Sequence, residues 1–223
     1  MCGRFTITVS HEQLESYMKN NYEIDKIEKF DVPKFNVAPG TDIISVIHDG
    51  KKHRIGLLKW GFIPSFSKDQ KINIINAKAE TLFEKPSFKF AVMNQRCVII
   101  ADGFYEWQKD SKQPMRIITD SKLFSMAGIW NTITTSSGQK EHTVLIVTTE
   151  ANNTIKEIHD RMPVILTKET ERVWLDRTIK DPNKLTEILK PFKGPVYVYP
   201  VSKKINKATY QEPDAINQIE VDF

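Results

Sequence analysis

The chain has 223 residues, of which 40% are hydrophobic and 27% are charged, as is typical of a globular protein that buries a substantial core. Its net charge of +4 at pH 7 permits binding to a nucleic acid but does not require it. Two cysteines (Cys2 and Cys97) and five histidines without ligand spacing exclude a disulfide framework and give no reason to expect a metal.

The first part of the chain predicts a helix, a hairpin and an interrupted helix. A capping-box pattern at Ser10 starts the first helix. The Asp-Gly dipeptide at 49–50 lies between two apolar runs, which is a strong signal of a β-hairpin. The stretch 77–94 reads as a helix that breaks at Pro86 and restarts after Ser87.

The second part of the chain is rich in β-branched and aromatic residues. Four stretches predict strands: 96–108, 114–120, 123–133 and 142–150. They are followed by a short helix at 153–160, a strand at 162–166, helices at 168–176 and 181–190, and a strand at 196–205. Because strands follow one another and helices stand between groups of strands, we expect an α+β fold. Its core would be a curved, barrel-like, antiparallel sheet with peripheral helices.

Several sequence-wide features concern domains and location. No linker, repeat or low-complexity stretch interrupts the chain, so residues 1–223 are expected to form one domain. The N-terminus has no apolar run of signal-peptide length, and no segment approaches the length of a membrane span. Low cysteine usage favours a reducing compartment. We therefore expect a cytoplasmic protein without a membrane partner.

Five stretches place polar or aromatic residues where a plain core would not have them. They are "FNVAPG" with Asn36, "KWGFIP" with Trp60, "INAKAET" with Asn76 and Lys78, "ADGFYEW" with Glu106, and "IHDRMP" with His159 and Arg161. Each stretch taken singly has a structural explanation, such as a helix cap, a surface ion pair or a core tryptophan. A single motif of this kind therefore carries little weight.

Together with "MCGRF" at the start, these stretches resemble the SOS-response-associated peptidase (SRAP) family, also called the abasic-site processing proteins. The matching motifs run in family order from residue 1 to about residue 166, and "SMAGIW" and "HDRMPVIL" are among them. One departure is Lys78, where the family usually has arginine. Lysine keeps the charge but loses the forked, bidentate grip on a phosphate. The resemblance implies a single domain with the SRAP fold.

The resemblance also implies a chemistry for the second residue. Met1 would be removed, and Cys2 would crosslink to an abasic site in single-stranded DNA, protecting the site in the DNA damage response. The α-amine of Cys2 can condense with the sugar aldehyde to a Schiff base. Its thiol can then close a five-membered thiazolidine, a step that proximity favours. No cofactor is implied, and the expected partner is abasic single-stranded DNA, bound by a monomer that associates with the nucleoid.

Other residues receive roles from the same resemblance and from their chemistry. Asn76, Glu106 and His159 would join Cys2 in the active site, with Asn76 orienting the reactants and Glu106 and His159 moving protons. The expected DNA-binding residues are Arg4, Asn36, Trp60, Lys78 and Arg161. The three cationic side chains would contact phosphates, and Trp60 would stack on exposed bases.

Two other functions are compatible with parts of the sequence. An N-terminal-nucleophile amidohydrolase or thiol peptidase would also use Cys2, with the α-amine as base and the thiol attacking an amide. A non-catalytic module that binds single-stranded DNA would use the basic residues alone. Glutaminase activity would favour the first function, whereas a stable DNA adduct that requires Cys2 would exclude the second.

Overall fold

The computed structural model describes residues 2–64, 66–67 and 72–221. The strands in chain order are β1 (Phe5–Ile7), β2 (Lys34–Val37), β3 (Asp42–His48), β4 (His53–Trp60), β5 (Asn76–Lys78), β6 (Arg96–Ala101), β7 (Gly103–Trp107), β8 (Pro114–Thr119), β9 (Phe124–Thr134), β10 (Lys140–Glu150), β11 (Arg161–Pro163), β12 (Ile165–Leu166) and β13 (Val196–Pro200). The helices are α1 (His11–Tyr22), α2 (Pro86–Asn94), α3 (Asn153–Lys156), α4 (Lys168–Leu175) and α5 (Pro182–Ile188). Short 3₁₀ turns cover Ala79–Thr81, Lys203–Asn206 and Pro213–Ile216.

Five strands close into a barrel because the last of them pairs with the first. The order is β10, β4, β3, β6 and β9, and β9 pairs again with β10. The strands β5, β11 and β12 extend this sheet beyond the barrel. The predicted α+β fold with a barrel-like core is confirmed. The barrel is mixed rather than wholly antiparallel, since β10 runs parallel to β4 and to β5.

A second sheet, in the order β13, β8, β7, β1 and β2, packs beside the barrel and is antiparallel throughout. The main hydrophobic core includes residues of both sheets. The ring centroids of Phe5 from β1 and Trp60 from β4 lie 5.4 Å apart in it. Cys2 lies three residues before the first residue of β1, so the packing of this strand fixes where the start of the chain lies. None of the helices in the described part of the chain is long and apolar enough to cross a membrane.

Most of the predicted helices are present, but the helix predicted over residues 77–94 begins later than expected. Ser10 forms the predicted capping box at the start of α1. The predicted helix over 77–94 is wrong at its start, because Ala77 lies in β5 and pairs with β10. The helix α2 begins at Pro86 itself, where a missing N–H costs nothing because the first turn has no intrahelical acceptor for it. Pairing with β10 has overridden the local helical preference of the segment.

A buried ion pair fixes the position of β1 within the second sheet. The carboxylate of Asp102 accepts hydrogen bonds from Thr6 Oγ1 at 2.5 Å and from the backbone N–H of Thr8 at 2.5 Å. Arg116 Nη2 lies 3.3 Å from the same carboxylate, and both side chains are more than nine-tenths buried. Asp102 therefore fixes the strand that leads back to residue 2.

Replacing Asp102 with alanine is expected to lower the free energy of unfolding by about 3–5 kcal/mol, because Arg116 would be left as a buried charge without its partner. Urea denaturation followed by circular dichroism measures the change. Asp31→Ala is the control, since Asp31 pairs with Lys34 but is 86% exposed. Its loss should change stability by less than about 1 kcal/mol. Equal effects of the two substitutions would contradict the anchoring role of Asp102.

Candidate active site

Cys2 is fully buried and lies just before the N-terminal end of β1. The antiparallel neighbour of that end is the C-terminal end of β7. The strands pair with Phe5 opposite Phe104, and the N–H of Tyr105 donates to the carbonyl of Arg4 at 3.0 Å. Continuing this antiparallel register places Cys2 beside the Glu106–Trp107 end of β7. Its Sγ lies 4.0 Å from the carbonyl oxygen of Arg4. The predicted removal of Met1 concerns a residue outside those that the structure describes.

Asn76 contacts the backbone of Cys2 directly. Its Nδ2 donates to the Cys2 carbonyl oxygen at 2.8 Å. The strand β5 holds Asn76 there, because Asn76 pairs with Ile146 in the middle of β10. The Asn76 Oδ1 atom is buried and accepts no hydrogen bond from the described residues. That oxygen can therefore accept a hydrogen bond from an amine or a hydroxyl group beside Cys2.

Glu106 brings a titratable carboxyl group to Cys2. The residue is 3% exposed, and burial raises the pKa of its carboxyl group to about 7. Burial and, secondarily, the negative charge of Glu106 raise the pKa of the Cys2 thiol well above its usual value. A carboxyl group with a pKa near neutrality can both accept and donate a proton at physiological pH. The Cys2 thiol, in contrast, remains protonated at that pH.

His159 follows α3 and is half-buried. The backbone N–H of Arg161 donates to its Nδ1 at 3.0 Å, so the neutral ring carries its proton on Nε2. Burial lowers the pKa of His159, which favours that neutral ring near pH 7. Lys109 Nζ and Asp160 Oδ1 form an ion pair at 2.6 Å. This pair connects the segment of His159 to the turn that follows β7, the strand on which Glu106 lies.

Two of the predicted phosphate contacts lie on strands that flank the same end of β10. Lys78 on β5 and Pro163 on β11 both pair with Thr148. Lys78 is exposed, so its ammonium group is accessible to a phosphate. Arg161 is less accessible, because its two terminal nitrogens bind both carboxylate oxygens of Glu80, at 2.7 and 2.8 Å.

Arg4 and Asn36, also predicted to bind DNA, form hydrogen bonds with the C-terminal part of the chain. Arg4 Nη1 donates to Asn36 Oδ1 at 2.8 Å and to the carbonyl of Ile205 at 2.7 Å. Asn36 Nδ2 donates to the same Ile205 carbonyl and to that of Lys207, both at 3.1 Å. Asn36 is 1% exposed, so in this structure it has no surface to offer a DNA strand.

Trp60 is likewise in the core. It has no exposed surface, and its Nε1 donates to the carbonyl of Ile75 at 3.0 Å. Stacking on a base requires an exposed ring face, which Trp60 lacks here. Trp60 therefore occupies the position that the structural explanation in the sequence analysis, a core tryptophan, predicts.

Other contacts at the site have no sequence signal that would have revealed them. Trp107 Nε1 donates to Asn206 Oδ1 at 2.8 Å, across about a hundred residues of chain. Glu80 belongs to a motif that the sequence singled out, yet nothing local shows that its partner is Arg161. Within the described ranges, no group of three or more His, Cys, Asp or Glu residues could hold a metal ion.

Comparison with known proteins places this arrangement in a family. Residues 1–208 match the family model described as SOS response associated peptidase (SRAP). The chain is 40% identical over 223 residues to the abasic site processing protein YoqW of Bacillus subtilis (strain 168), covering 97% of this chain and 99% of that protein. It is 32% identical over 183 residues to the abasic site processing protein YedK of Escherichia coli (strain K12), covering 80% and 81% of the two chains.

A crystal structure of a protein from Bacteroides thetaiotaomicron has the same fold. It superposes with a TM-score of 0.85 at 25% sequence identity, covering 98% of this chain and all of the other. The family match spans the start of the chain with Cys2 and every other residue of the candidate site. The chain therefore belongs to the SOS response associated peptidase (SRAP) family.

Proposed function

We propose that this protein processes abasic sites by forming a covalent crosslink with single-stranded DNA through Cys2. Its relatives carry the name abasic site processing protein. The observation that carries the proposal is the placement of Cys2 beside a buried carboxyl group, that of Glu106, whose pKa is about 7. Once Met1 has been removed, Cys2 offers an amine, a thiol and a neighbouring proton carrier in one site.

The chemistry proceeds in two covalent steps. The α-amine of Cys2 attacks C1′ of the ring-opened sugar, and loss of one water molecule leaves an imine. The thiol sulfur then attacks the same carbon, while its proton passes to the imine nitrogen, and a thiazolidine closes. Glu106 carries protons during ring opening and dehydration. Because the second attack is intramolecular, proximity accelerates it.

Two more side chains support these steps. The Nδ2 group of Asn76 holds the Cys2 carbonyl, and its buried Oδ1 can accept a hydrogen bond from the amine or from a sugar hydroxyl. His159, neutral with its proton on Nε2, can donate a hydrogen bond from Nε2–H to an oxygen of the opening sugar. We therefore assign Asn76 to orientation of the reactants and His159 to stabilisation of the sugar oxygen by a hydrogen bond.

The protonated state of the Cys2 thiol argues against an amidohydrolase or a thiol peptidase acting on other proteins. Those reactions begin with a thiolate attacking an amide carbonyl, and a thiol whose pKa is raised by burial and by a nearby carboxylate supplies little thiolate. In thiazolidine formation the amine attacks first. The peptidase name then fits a more limited reaction, the autoproteolytic removal of the protein's own Met1, which occurs once per molecule and so can proceed with a small fraction of thiolate.

The test is incubation of the protein, shown by intact mass to lack Met1, with an oligonucleotide that carries one abasic site. We expect an adduct that survives a denaturing gel. The matched control is the same oligonucleotide with a tetrahydrofuran analogue, which has no aldehyde and should give no adduct. Absence of an adduct with the abasic oligonucleotide, together with release of ammonia from glutamine, would overturn the proposal in favour of an amidohydrolase.

Noncovalent affinity for undamaged single strands is expected to fall as salt rises, since each neutralised phosphate releases counterions. Lys78→Ala should reduce the slope of log K against log salt by about 0.7 if Lys78 contacts one phosphate. Fluorescence anisotropy of a labelled single strand at several salt concentrations measures this slope. Lys59→Ala is the control, because Lys59 pairs with Glu141 at the opposite end of β10. Identical slopes for the two variants would remove Lys78 from the interface.

A further inference from the structure

One ion pair joins the segment of Asn76 to the segment of His159. Glu80 lies four residues after Asn76, and Arg161 lies two residues after His159. Arg161 Nη1 and Nη2 donate to Glu80 Oε1 and Oε2 at 2.7 and 2.8 Å. Two parallel hydrogen bonds of this kind fix the direction of the guanidinium group as well as its distance. The pair therefore constrains how the two segments face each other.

Arg161 is constrained further and passes the constraint to His159. Its Nη2 also donates to the carbonyl of Thr148 on β10 at 2.6 Å, and the side chain is only 13% exposed. The backbone N–H of the same residue donates to His159 Nδ1 at 3.0 Å. A displaced Arg161 would move that N–H away from the ring. His159 would then lose the contact that orients its imidazole and keeps the proton on Nε2.

We propose that Glu80 is a positioning residue, which holds Arg161 so that its backbone N–H keeps the His159 imidazole in the orientation and tautomer needed for reaction at Cys2. The inference rests on the proposed function, because it specifies how the same site is organised. It also gives Arg161 a role within the site that does not depend on its touching a phosphate.

A competing interpretation of Glu80 predicts the opposite effect of its neutralisation on the reaction rate. Its side chain is 44% exposed, whereas that of Arg161 is 13% exposed, so Glu80 stands on the solvent side of the pair. A phosphate approaching Arg161 would meet a carboxylate first. If Glu80 were only a counter-ion that shields Arg161, its neutralisation would tighten DNA binding and speed the reaction. The positioning role predicts a slower reaction at saturating DNA.

The experiment compares Glu80→Gln with Glu141→Gln. Glutamine keeps the length of the side chain but loses the charge and one of the two acceptors. Glu141 is the matched control, because it forms a partly exposed ion pair with Lys59, at 2.6 Å, at the far end of β10. We expect Glu80→Gln to slow single-turnover adduct formation at saturating abasic DNA by about 10- to 100-fold, as for a small misplacement of a reacting group. Glu141→Gln should react like wild type.

Two further measurements separate positioning from a general loss of structure. The thermal midpoint of Glu80→Gln should stay close to that of Glu141→Gln, because each variant loses one partly exposed ion pair. Nitrogen-15 NMR of the histidine rings should show His159 with its proton on Nε2 in the wild type and mixed tautomers in Glu80→Gln. A wild-type rate, a faster rate or an unchanged His159 tautomer in Glu80→Gln would each overturn the inference.

Failure of the proposed function would be seen separately. In that case wild type and Glu141→Gln would both form no adduct with abasic DNA. The NMR comparison needs no substrate, and it would still decide whether Glu80 controls the state of His159.

Discussion

Cys2→Ala protein is expected to form no denaturant-stable adduct with abasic single-stranded DNA. Alanine has no thiol to close the thiazolidine ring, so the only covalent species that any terminal amine can still form is an imine that water reverses. A denaturing gel after single-turnover incubation measures the loss, which should be complete within detection. The fold should persist, because Cys2 lies before β1 and the anchor of that strand, Asp102, is unchanged.

Two companion variants make this result specific. Cys97→Ala removes the other cysteine, which is equally buried and lies on β6 in the barrel, and should leave adduct formation intact. Cys2→Ser should give an imine that borohydride traps but that is lost without the reductant. A wild-type yield of stable adduct from Cys2→Ala would refute the thiazolidine mechanism.

Glu106→Gln is expected to slow adduct formation by about 10²–10⁴-fold, because glutamine keeps the shape of the side chain but removes the titrating group. Wild-type rates should change slope near pH 7, where burial places the pKa of Glu106, and the variant should lack that inflection. Single-turnover rates from pH 5 to 8 test both statements. A wild-type rate across this range would exclude Glu106 from the mechanism.

The same substitution should have a pH-dependent effect on stability. The pKa of Glu106 is raised in the folded state, so its contribution to stability is full below the unfolded pKa of about 4.3 and is lost as pH rises through about 7. At pH 8, Glu106→Gln should therefore be more stable than wild type by about 3 kcal/mol, with little difference at pH 4.

The control for Glu106 is Glu171→Gln. Burial also raises the pKa of Glu171, which interacts with Ser125 and Tyr22 away from Cys2. Its replacement should alter the pH dependence of stability but leave the crosslinking rate unchanged. Slowed crosslinking in both variants would point to a general effect of losing a buried carboxyl group rather than to catalysis by Glu106.

Local signals in the sequence predicted the local parts of the fold. The capping box at Ser10 is formed, and the Asp-Gly dipeptide at 49–50 lies in the loop 49–52 that joins β3 to β4 in the predicted hairpin. Both depend on interactions between residues a few positions apart. The strand β5 could not be predicted in this way, because its pairing with β10 reaches about 70 residues along the chain and overrides a helical pattern. The same holds for the parallel contact of β4 with β10.

In the candidate site, too, the sequence predicted what depends on residue type and motif but not what depends on long-range contacts. Residue type and motif order singled out Cys2, Asn76, Glu106 and His159, and the structure joins their segments by a hydrogen bond to Cys2 and by ion pairs. Their catalytic roles stay predictions. Residue type alone did not reveal that Asn36 and Trp60 would be buried, since an asparagine in a loop and a tryptophan beside glycine look the same whether they face solvent or the core.

The contact between Arg4 and Ile205 has a consequence for the protein during its synthesis. It joins residues that are 201 positions apart, so the ribosome delivers the partner of the first strand almost last. Until then Arg4 lacks the carbonyl groups that it binds, and the buried environment of Cys2 is incomplete. We therefore expect the autoproteolytic removal of Met1, which depends on that environment, to begin only after translation ends.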